Sequence, residues 1–171
     1  MEKKKGIFPG TFDPMTNGHV DVLIRALRIF DSVTVAVAAS ERHHKETLFT
    51  LEERLEMVRA SVPEDLLQRV EVVRIEGLLA EFARSRGIRA VIRGVRFVTD
   101  FEYEFQMALM NQKLWAELDT VFLLPNEQYS YVNSTLVKEI AMNGGSVRGL
   151  VPPEVARRLR ARHKGQGGNE D

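Results

Sequence analysis

The stretch that decides the fold is PGTFDPMTNGH, residues 9–19, which lies between a short apolar run and a long segment with apolar residues at helical spacing. This order predicts a strand, then a turn, then a helix. Gly10 allows the backbone to approach a ligand closely because it has no Cβ. The unpaired N–H groups at the start of the helix attract anions. The segment therefore predicts a loop that binds phosphate groups.

His19 falls in the first turn of the predicted helix. We expect its imidazole to face the same concavity as the free amides. The positive end of the helix should lower its pKa, so that the ring acts as a neutral hydrogen-bond donor. The alternative is that Asn17 and Gly18 only form a turn and that His19 has no ligand.

Composition limits the classes of protein to which the chain can belong. A length of 171 residues fits one domain, and 24 Lys and Arg balance 24 Asp and Glu, so no overall field attracts nucleic acid or a membrane surface. The chain has no cysteine, which excludes disulfides and thiolate metal sites and fits a reducing compartment. With neither a signal peptide nor a span of about 20 apolar residues, we expect a soluble cytoplasmic protein.

β-Branched runs alternate with helical periodicity along the chain, a pattern typical of a parallel sheet with helices on both faces. The predicted strands are residues 6–8, 33–39, 70–75, 90–93 and 120–124. The predicted helices are residues 18–30, a helix capped by Thr50 with Glu53 reaching back, 78–85, 100–117 and 134–143. A last helix begins at 151–154, and we interpret its arginines (Arg157, Arg158, Arg160, Arg162) as a solvated face rather than an RNA site.

The expected architecture is therefore α/β, with a single doubly wound Rossmann-like domain, a five-stranded parallel sheet and a C-terminal helix. It should occupy residues 1–164, followed by a flexible C-terminal tail at 165–171. Polar or glycine-containing loops follow all five predicted strands. In such sheets ligands bind beyond the carboxyl ends of the strands, so we expect the functional residues to meet there.

Two further strings carry candidate chemistry. RGVRFVTDFEYE, residues 93–104, puts two arginines around a glycine at a strand end, where guanidinium groups can bind phosphates through paired hydrogen bonds. YSYVNSTLVKE, residues 129–139, puts hydroxyl groups at a helix start. The alternatives are a pair of surface arginines, a surface Glu104 in an i,i+4 contact, and ordinary Ser or Thr caps.

These strings together resemble the phosphopantetheine adenylyltransferases of the nucleotidyltransferase superfamily. Thr16, Gly18 and His19 match the Thr-x-Gly-His form of that superfamily's His-x-Gly-His signature. Residues 93–104 are similar to a long segment of the same family. Residues 129–139 are similar to its Ser-Ser-Thr-x-x-Lys-Glu signature, with Asn133 in place of a residue that is often serine.

The resemblance implies adenylyl transfer from ATP to 4′-phosphopantetheine, with Mg²⁺, and a hexameric assembly. His19 would stabilise the transition state. The implied ATP contacts are Thr11, Phe12, His19, Gly94, Val95, Arg96, Glu104, Tyr129, Ser130, Tyr131, Val132, Asn133, Ser134 and Thr135. The implied acceptor contacts are Thr11, Lys45, Leu79 and Arg93. Rival hypotheses are another nucleotidyltransferase, with nicotinamide mononucleotide or glycerol phosphate as acceptor, and a nucleotide-binding sensor without catalysis.

The loop at residues 40–49 leaves one assignment open. Relatives usually carry a lysine about four residues before a phenylalanine, and counting back from Phe49 reaches Lys45. The loop lacks the usual proline, so Arg42 remains an alternative. His43 and His44 are expected to be solvated rather than zinc ligands. No carboxylate cage for a metal stands out, so we expect Mg²⁺ to be held mostly by phosphate oxygens and water.

Overall fold

The computed structural model describes residues 3–39 and 47–166. In this part of the chain five strands form one parallel sheet: β1 (Lys5–Gly10), β2 (Ser32–Ala38), β3 (Val70–Ile75), β4 (Ala90–Gly94) and β5 (Asp119–Leu123). Their order is β3-β2-β1-β4-β5. The connections therefore diverge to opposite sides of β1, which opens a crevice at the carboxyl ends of β1 and β4. The predicted doubly wound α/β fold is confirmed.

Six α-helices cover the sheet in the described residues: α1 (Asn17–Ala26), α2 (Leu51–Ser61), α3 (Leu79–Ser85), α4 (Val98–Leu114), α5 (Ser134–Met142) and α6 (Pro153–Gln166). Thr50 and Glu53 form the predicted capping box at the start of α2. The sequence did not predict the two short 3₁₀ helices at Glu64–Arg69 and Glu127–Tyr129.

Several predicted boundaries differ from the structure. Strand β1 extends to Gly10 because its pairing with β2 continues as far as Gly10 opposite Val37. Helix α1 ends at Ala26 instead of residue 30. Helix α4 begins before the predicted Asp100, whose carboxylate accepts from Arg96 rather than from backbone amides. Helix α6 continues through Gln166, so the first two residues of the expected tail are helical, and residues 167–171 lie outside the described chain.

The core lies on both faces of the sheet. One face carries α1, α2, α5 and α6, and buries Leu23, Met57, Val137 and Leu159 against alternate strand residues. The other face carries α3 and α4, with Ala80, Ala83 and Ile88 among its buried residues. Because successive side chains of a strand point to opposite faces, both sets of strand residues are apolar. The sheet is therefore packed on both faces, and its carboxyl edge positions the loops that follow the strands.

Several arginines of α6 form ion pairs with glutamates. Arg158 bonds Glu56 and Glu154, Arg157 bonds Glu154, and Arg162 bonds Glu53. Hydrogen bonds from Arg157 and then Arg158 lower the pKa of Glu154 to about 2. Two of the four arginines, Arg158 and Arg162, thus hold α6 on α2, which the interpretation as a solvated face did not anticipate. None of the helices in the described ranges is long and apolar enough to cross a membrane.

The different burial of two leucines predicts different effects of their substitution on stability. Leu23 is 0% exposed in α1, whereas Leu67 is 48% exposed in a 3₁₀ turn. We expect Leu23→Ala to lower the free energy of unfolding by about 2–5 kcal/mol, because it removes buried methyl groups and leaves a cavity. The matched Leu67→Ala should lower it by less than about 1 kcal/mol. Urea denaturation followed by circular dichroism measures both, and equal losses would contradict this description of the core.

Candidate active site

A cavity of about 420 Å³ opens at the carboxyl ends of β1 and β4. The turn between β1 and α1 forms one wall, the end of β4 a second, and the start of α5 a third. Ten of the residues that the sequence assigned to ATP line it: Thr11, Phe12, His19, Gly94, Arg96, Glu104, Val132, Asn133, Ser134 and Thr135. Residues from all three strings, far apart in the chain, therefore meet around one space.

Four other residues assigned to ATP are outside this lining. Val95 is buried, and the Val95 N–H donates to the Leu123 carbonyl. The Ser130 hydroxyl donates to the Glu127 carbonyl, which closes a local turn. Tyr129 packs against the core, and Tyr131 is exposed. The structure does not bring these four residues to the described cavity wall.

A second cavity of about 340 Å³ adjoins the first. The two share Pro9, Gly10, Thr11, Arg93 and Glu104 in their linings. Beyond these, apolar side chains contribute to its wall: Ile75, Leu79, Met107 and Ala108. The sequence assigned Thr11, Leu79 and Arg93 to the acceptor, and all three line this second cavity. The assignments to Lys45 and Arg42 lie outside the described residues.

His19 is fixed by a capping box at the start of α1. The Thr16 side chain accepts from the His19 N–H, and His19 Nδ1 accepts from the Thr16 N–H at 3.0 Å. Since Nδ1 is an acceptor, the hydrogen of the neutral ring is on Nε2. Nε2 is therefore the donor that the imidazole can offer to a ligand in the cavity it lines.

The pKa of His19 is lowered to about 4. The largest cause is burial of the ring, followed by the positive charges of Arg96 and then Arg93. The prediction of a lowered pKa has the right direction. The prediction named the positive end of the helix as the cause, whereas the structure adds burial of the ring and the charges of two guanidinium groups.

Phe12 has φ of 48°, in the left-handed region that residues other than glycine rarely adopt. Its ring packs edge-on against Phe8 at 5.4 Å and against His19 at 5.2 Å between ring centroids. A Cβ on Gly10 would lie 2.8 Å from the same ring, so glycine is required there. This packing offsets the unfavourable backbone conformation and fixes the face of the imidazole.

Arg93 lies where the two cavities meet. It donates two hydrogen bonds to the carboxylate of Glu104 and one from NH1 to the Pro9 carbonyl at 2.8 Å. These use three of its five N–H groups and leave two for a ligand. Glu104, with a side chain only 13% exposed, is not the surface residue of the alternative interpretation.

Arg96 is held in the same manner. Its Nε donates to Asp100 at 3.0 Å, and its NH1 donates to the Val132 carbonyl at 3.1 Å. The carboxylates of Asp100 and Glu104 therefore orient two guanidinium groups toward the cavity before any ligand arrives. This arrangement can bind phosphate groups with little further ordering of side chains.

Sequence reasoning missed Asp13 and Lys138. The buried carboxylate of Asp13 accepts from the Leu48 and Phe49 amides at 2.9 and 3.0 Å, and from Lys138 Nζ at 2.7 Å. Lys138 also lines the larger cavity. Both residues stand inside the quoted strings, but 125 positions separate them. Only folding brings them together.

The start of α5 also differs in detail from the sequence prediction. Asn133 is the N-cap, since its side-chain oxygen accepts from the Leu136 N–H at 2.8 Å. The Ser134 hydroxyl donates to the Pro14 carbonyl at 2.7 Å, which ties α5 to the β1–α1 turn. The first amides of α5, rather than the Ser134 hydroxyl proton, are thus the donors available to an anion.

No group of three or more His, Cys, Asp or Glu side chains suited to a metal ion occurs in the described residues. The carboxylates nearest the cavity already bond to cations, Asp13 to Lys138, Asp100 to Arg96, and Glu104 to Arg93. A metal ion that enters here would therefore depend on oxygen ligands that its substrate and water supply.

The fold and this cavity are those of a nucleotidyltransferase, and a family model described as cytidylyltransferase-like matches residues 7–140. Phosphopantetheine adenylyltransferases of Moorella thermoacetica and Thermodesulfovibrio yellowstonii are 51% and 47% identical to the chain, each over 94% of it and 98% of the relative. The chain belongs to the phosphopantetheine adenylyltransferases. The chain also resembles a bifunctional NMN adenylyltransferase/ADP ribose pyrophosphatase from Francisella tularensis in fold (TM-score 0.63, 14% identity, 97% of this chain and 53% of that one).

The lowered pKa of His19 can be measured directly. In ¹⁵N NMR titrations we expect the His19 ring to stay neutral from pH 7 down to about pH 5, with hydrogen on Nε2, and to titrate near pH 4. Protonation is unfavourable because it would place a third positive charge in a poorly hydrated site beside two arginines. Arg96→Met should move the titration upward by removing one of these charges. Titration of His19 at or above its ordinary pKa of about 6.5 would contradict the structure.

Proposed function

We propose that this protein transfers the adenylyl group of ATP to 4′-phosphopantetheine, giving dephospho-coenzyme A and pyrophosphate. The observation that carries the proposal is the pair of adjoining cavities that meet at Arg93 and at the Gly10–Thr11 end of β1. The larger cavity has the phosphate-binding features of a nucleotide site. The second has an apolar wall suited to a pantetheine chain, with a guanidinium at its junction for the terminal phosphate.

The reaction needs no nucleophile from the protein. A phosphate oxygen of the acceptor attacks the α-phosphorus of ATP in line, the new O–P bond forms, and the bond to pyrophosphate breaks. Positioning of the two substrates and stabilisation of negative charge must then supply the rate. The Nε2–H of neutral His19 supports this step by donating to an oxygen of the α-phosphate as charge develops there.

The cations divide between the two substrates in this scheme. Arg93 binds the acceptor phosphate at the junction of the cavities, helped by Thr11 and, by family resemblance, Lys45. Arg96, Lys138 and the first amides of α5 bind the phosphates that leave as pyrophosphate. Arg93, Arg96 and Lys138 are each already oriented by a carboxylate. The site is thereby organised before substrate binds.

Mg²⁺ is proposed to accompany the nucleotide. Its charge would reduce the repulsion between the triphosphate and the attacking phosphate. The donor set supports coordination by phosphate oxygens and water, because the carboxylates beside the cavity are bonded to Arg93, Arg96 and Lys138. The protein's own residues would then act on the phosphates rather than on the ion.

A cytoplasmic location and a hexameric assembly are proposed on the family resemblance. One feature of the structure supports association: α4 exposes several large apolar side chains, Phe101, Phe105, Leu109, Met110 and Leu114. Contiguous apolar surface of this kind is unusual on a monomer.

The reaction and the role of His19 can be tested in one assay. Pure protein with ATP and Mg²⁺ should release pyrophosphate with 4′-phosphopantetheine, and not with nicotinamide mononucleotide or glycerol phosphate. His19→Ala should bind ATP nearly normally but lose about 10²–10³-fold in kcat, because it removes a preorganised donor. Turnover with another acceptor would support the rival transferase, and ATP binding without turnover would support the sensor. Near-normal kcat in His19→Ala would remove the residue from the mechanism.

Because Arg93 is assigned to the acceptor phosphate and Arg96 to ATP, their alanine variants should weaken the binding of different substrates. Calorimetric titration of Arg93→Ala should show weaker 4′-phosphopantetheine binding with ATP binding little changed. Arg96→Ala should show the reverse. The loss should be roughly 10-fold or more in each case, since hydrogen bonds between charged groups contribute about 1.5–3 kcal/mol. Equal losses for both ligands in both variants would contradict the division.

A further inference from the structure

Arg54 is a buried arginine behind the active site, only 2% exposed, at the start of α2. Its NH1 donates to the Thr11 carbonyl at 2.7 Å and to the Ala38 carbonyl at 2.8 Å, and its Nε donates to the Phe49 carbonyl at 3.3 Å. These acceptors belong to the turn after β1, the end of β2 and the residue before the cap of α2. One guanidinium thus joins three segments of the chain below the cavity.

The bond to Thr11 determines how the next peptide group is oriented. In a trans peptide the C=O and the following N–H point in opposite directions. The Thr11 carbonyl points at Arg54 in the interior, so the Phe12 N–H points away from the interior. Thr11 and Phe12 both line the larger cavity. The Phe12 N–H is therefore directed to the side where the phosphates of ATP would lie.

We infer that Arg54 is a positioning residue for this reaction: by holding the Thr11 carbonyl, it aims the Phe12 N–H at a phosphate group of the nucleotide. The inference rests on the proposed function. It extends that function to a residue that lines neither of the two cavities. The left-handed backbone of Phe12 adds to the need for such a restraint beside its ring packing, since an unrestrained residue would favour another conformation.

The chain contains a matched control for Arg54. Arg69 also donates to three backbone carbonyls, those of Leu27, Phe30 and Asp31. Its partners lie between α1 and β2, at the opposite end of the sheet from the cavity. Replacing either arginine by methionine keeps most of the side-chain length and leaves three carbonyls without their donor. Arg69 is partly exposed, so Arg69→Met should lose less stability than Arg54→Met, and the two variants are compared by their effect on the reaction under conditions in which both are folded.

The experiment compares Arg54→Met with Arg69→Met, with urea denaturation used to choose conditions in which both are folded. We expect Arg54→Met to lose about 10–100-fold in kcat with little change in the KM for 4′-phosphopantetheine, because a small displacement of a positioning group affects mainly the reacting geometry. Arg69→Met should keep kcat within about twofold of the unmodified protein. Equal kcat in the two folded variants would overturn the inference.

A second readout reports on the Phe12 amide itself. In protein labelled with ¹⁵N-phenylalanine, ATP with Mg²⁺ should shift the Phe12 resonance, and this shift should be lost in Arg54→Met but kept in Arg69→Met. An unchanged shift in Arg54→Met would also overturn the inference. Both tests presuppose a protein that turns over 4′-phosphopantetheine, so failure of the unmodified protein to do so counts against the proposed function and not against Arg54.

Arg54→Lys keeps the charge and covers the case in which Arg54→Met does not fold. A single ammonium group cannot reproduce the guanidinium's fixed geometry toward three carbonyls. We therefore expect Arg54→Lys to fold, to lose kcat by roughly 10-fold, and to lose most of the Phe12 shift. Full turnover in Arg54→Lys would show that the positive charge suffices, and the positioning role would be wrong.

Discussion

The segment from Gly10 to His19 is held from several sides by hydrogen bonds, and the geometry of the site depends on these bonds. Arg54 donates to its Thr11 carbonyl, Ser134 donates to its Pro14 carbonyl, and the Asn17 side chain donates to the Gly149 carbonyl. The partners come from α2, from α5 and from the loop before α6. These bonds add to the packing and capping contacts of the segment itself and tie it to the elements around it.

Charge balance is the second constraint on the site. Among the residues that the structure describes, three cations beside the cavity are paired with carboxylates, Arg93 with Glu104, Arg96 with Asp100, and Lys138 with Asp13. Paired charges avoid the cost of burying an isolated charge. These three carboxylates already bond to cations, so none of them is left to offset an additional proton on His19, which agrees with its lowered pKa. The site can thus be preorganised for anions without destabilising the fold severely.

The arrangement of the two cavities follows from the topology of the sheet. Connections diverge on either side of β1, so one cavity forms on the side of α1 and α5 and the other on the side of α3 and α4. Arg93, near the end of β4, lies at their boundary. A transfer between two bound substrates requires that they meet at one point. The switch point of a doubly wound sheet provides that point.

The sequence by itself determined the α/β class and the five strands, because strand and helix periodicity are local signals. Ten residues of the cavity lining were named in advance through the resemblance of three strings to a family, and the structure brings these ten residues together. Boundaries at α1 and α4 were wrong because local periodicity does not show where tertiary contacts end a helix. Tyr129, Ser130 and Tyr131 were assigned to ATP through the family resemblance of the string that contains them, but they do not line the described cavity wall.

Only the tertiary structure decided which charges are paired and what fixes the loop. Lys138 meets Asp13 across 125 positions, and Arg54 reaches Thr11 across 43. In the sequence, Asp13 and Lys138 are charged residues within polar strings, and Arg54 is a charged residue near the start of a helix. Nothing nearby in the chain marks them as special. Their roles arise from burial, since a buried charge must find partners wherever the packed chain places them. No local pattern encodes that requirement.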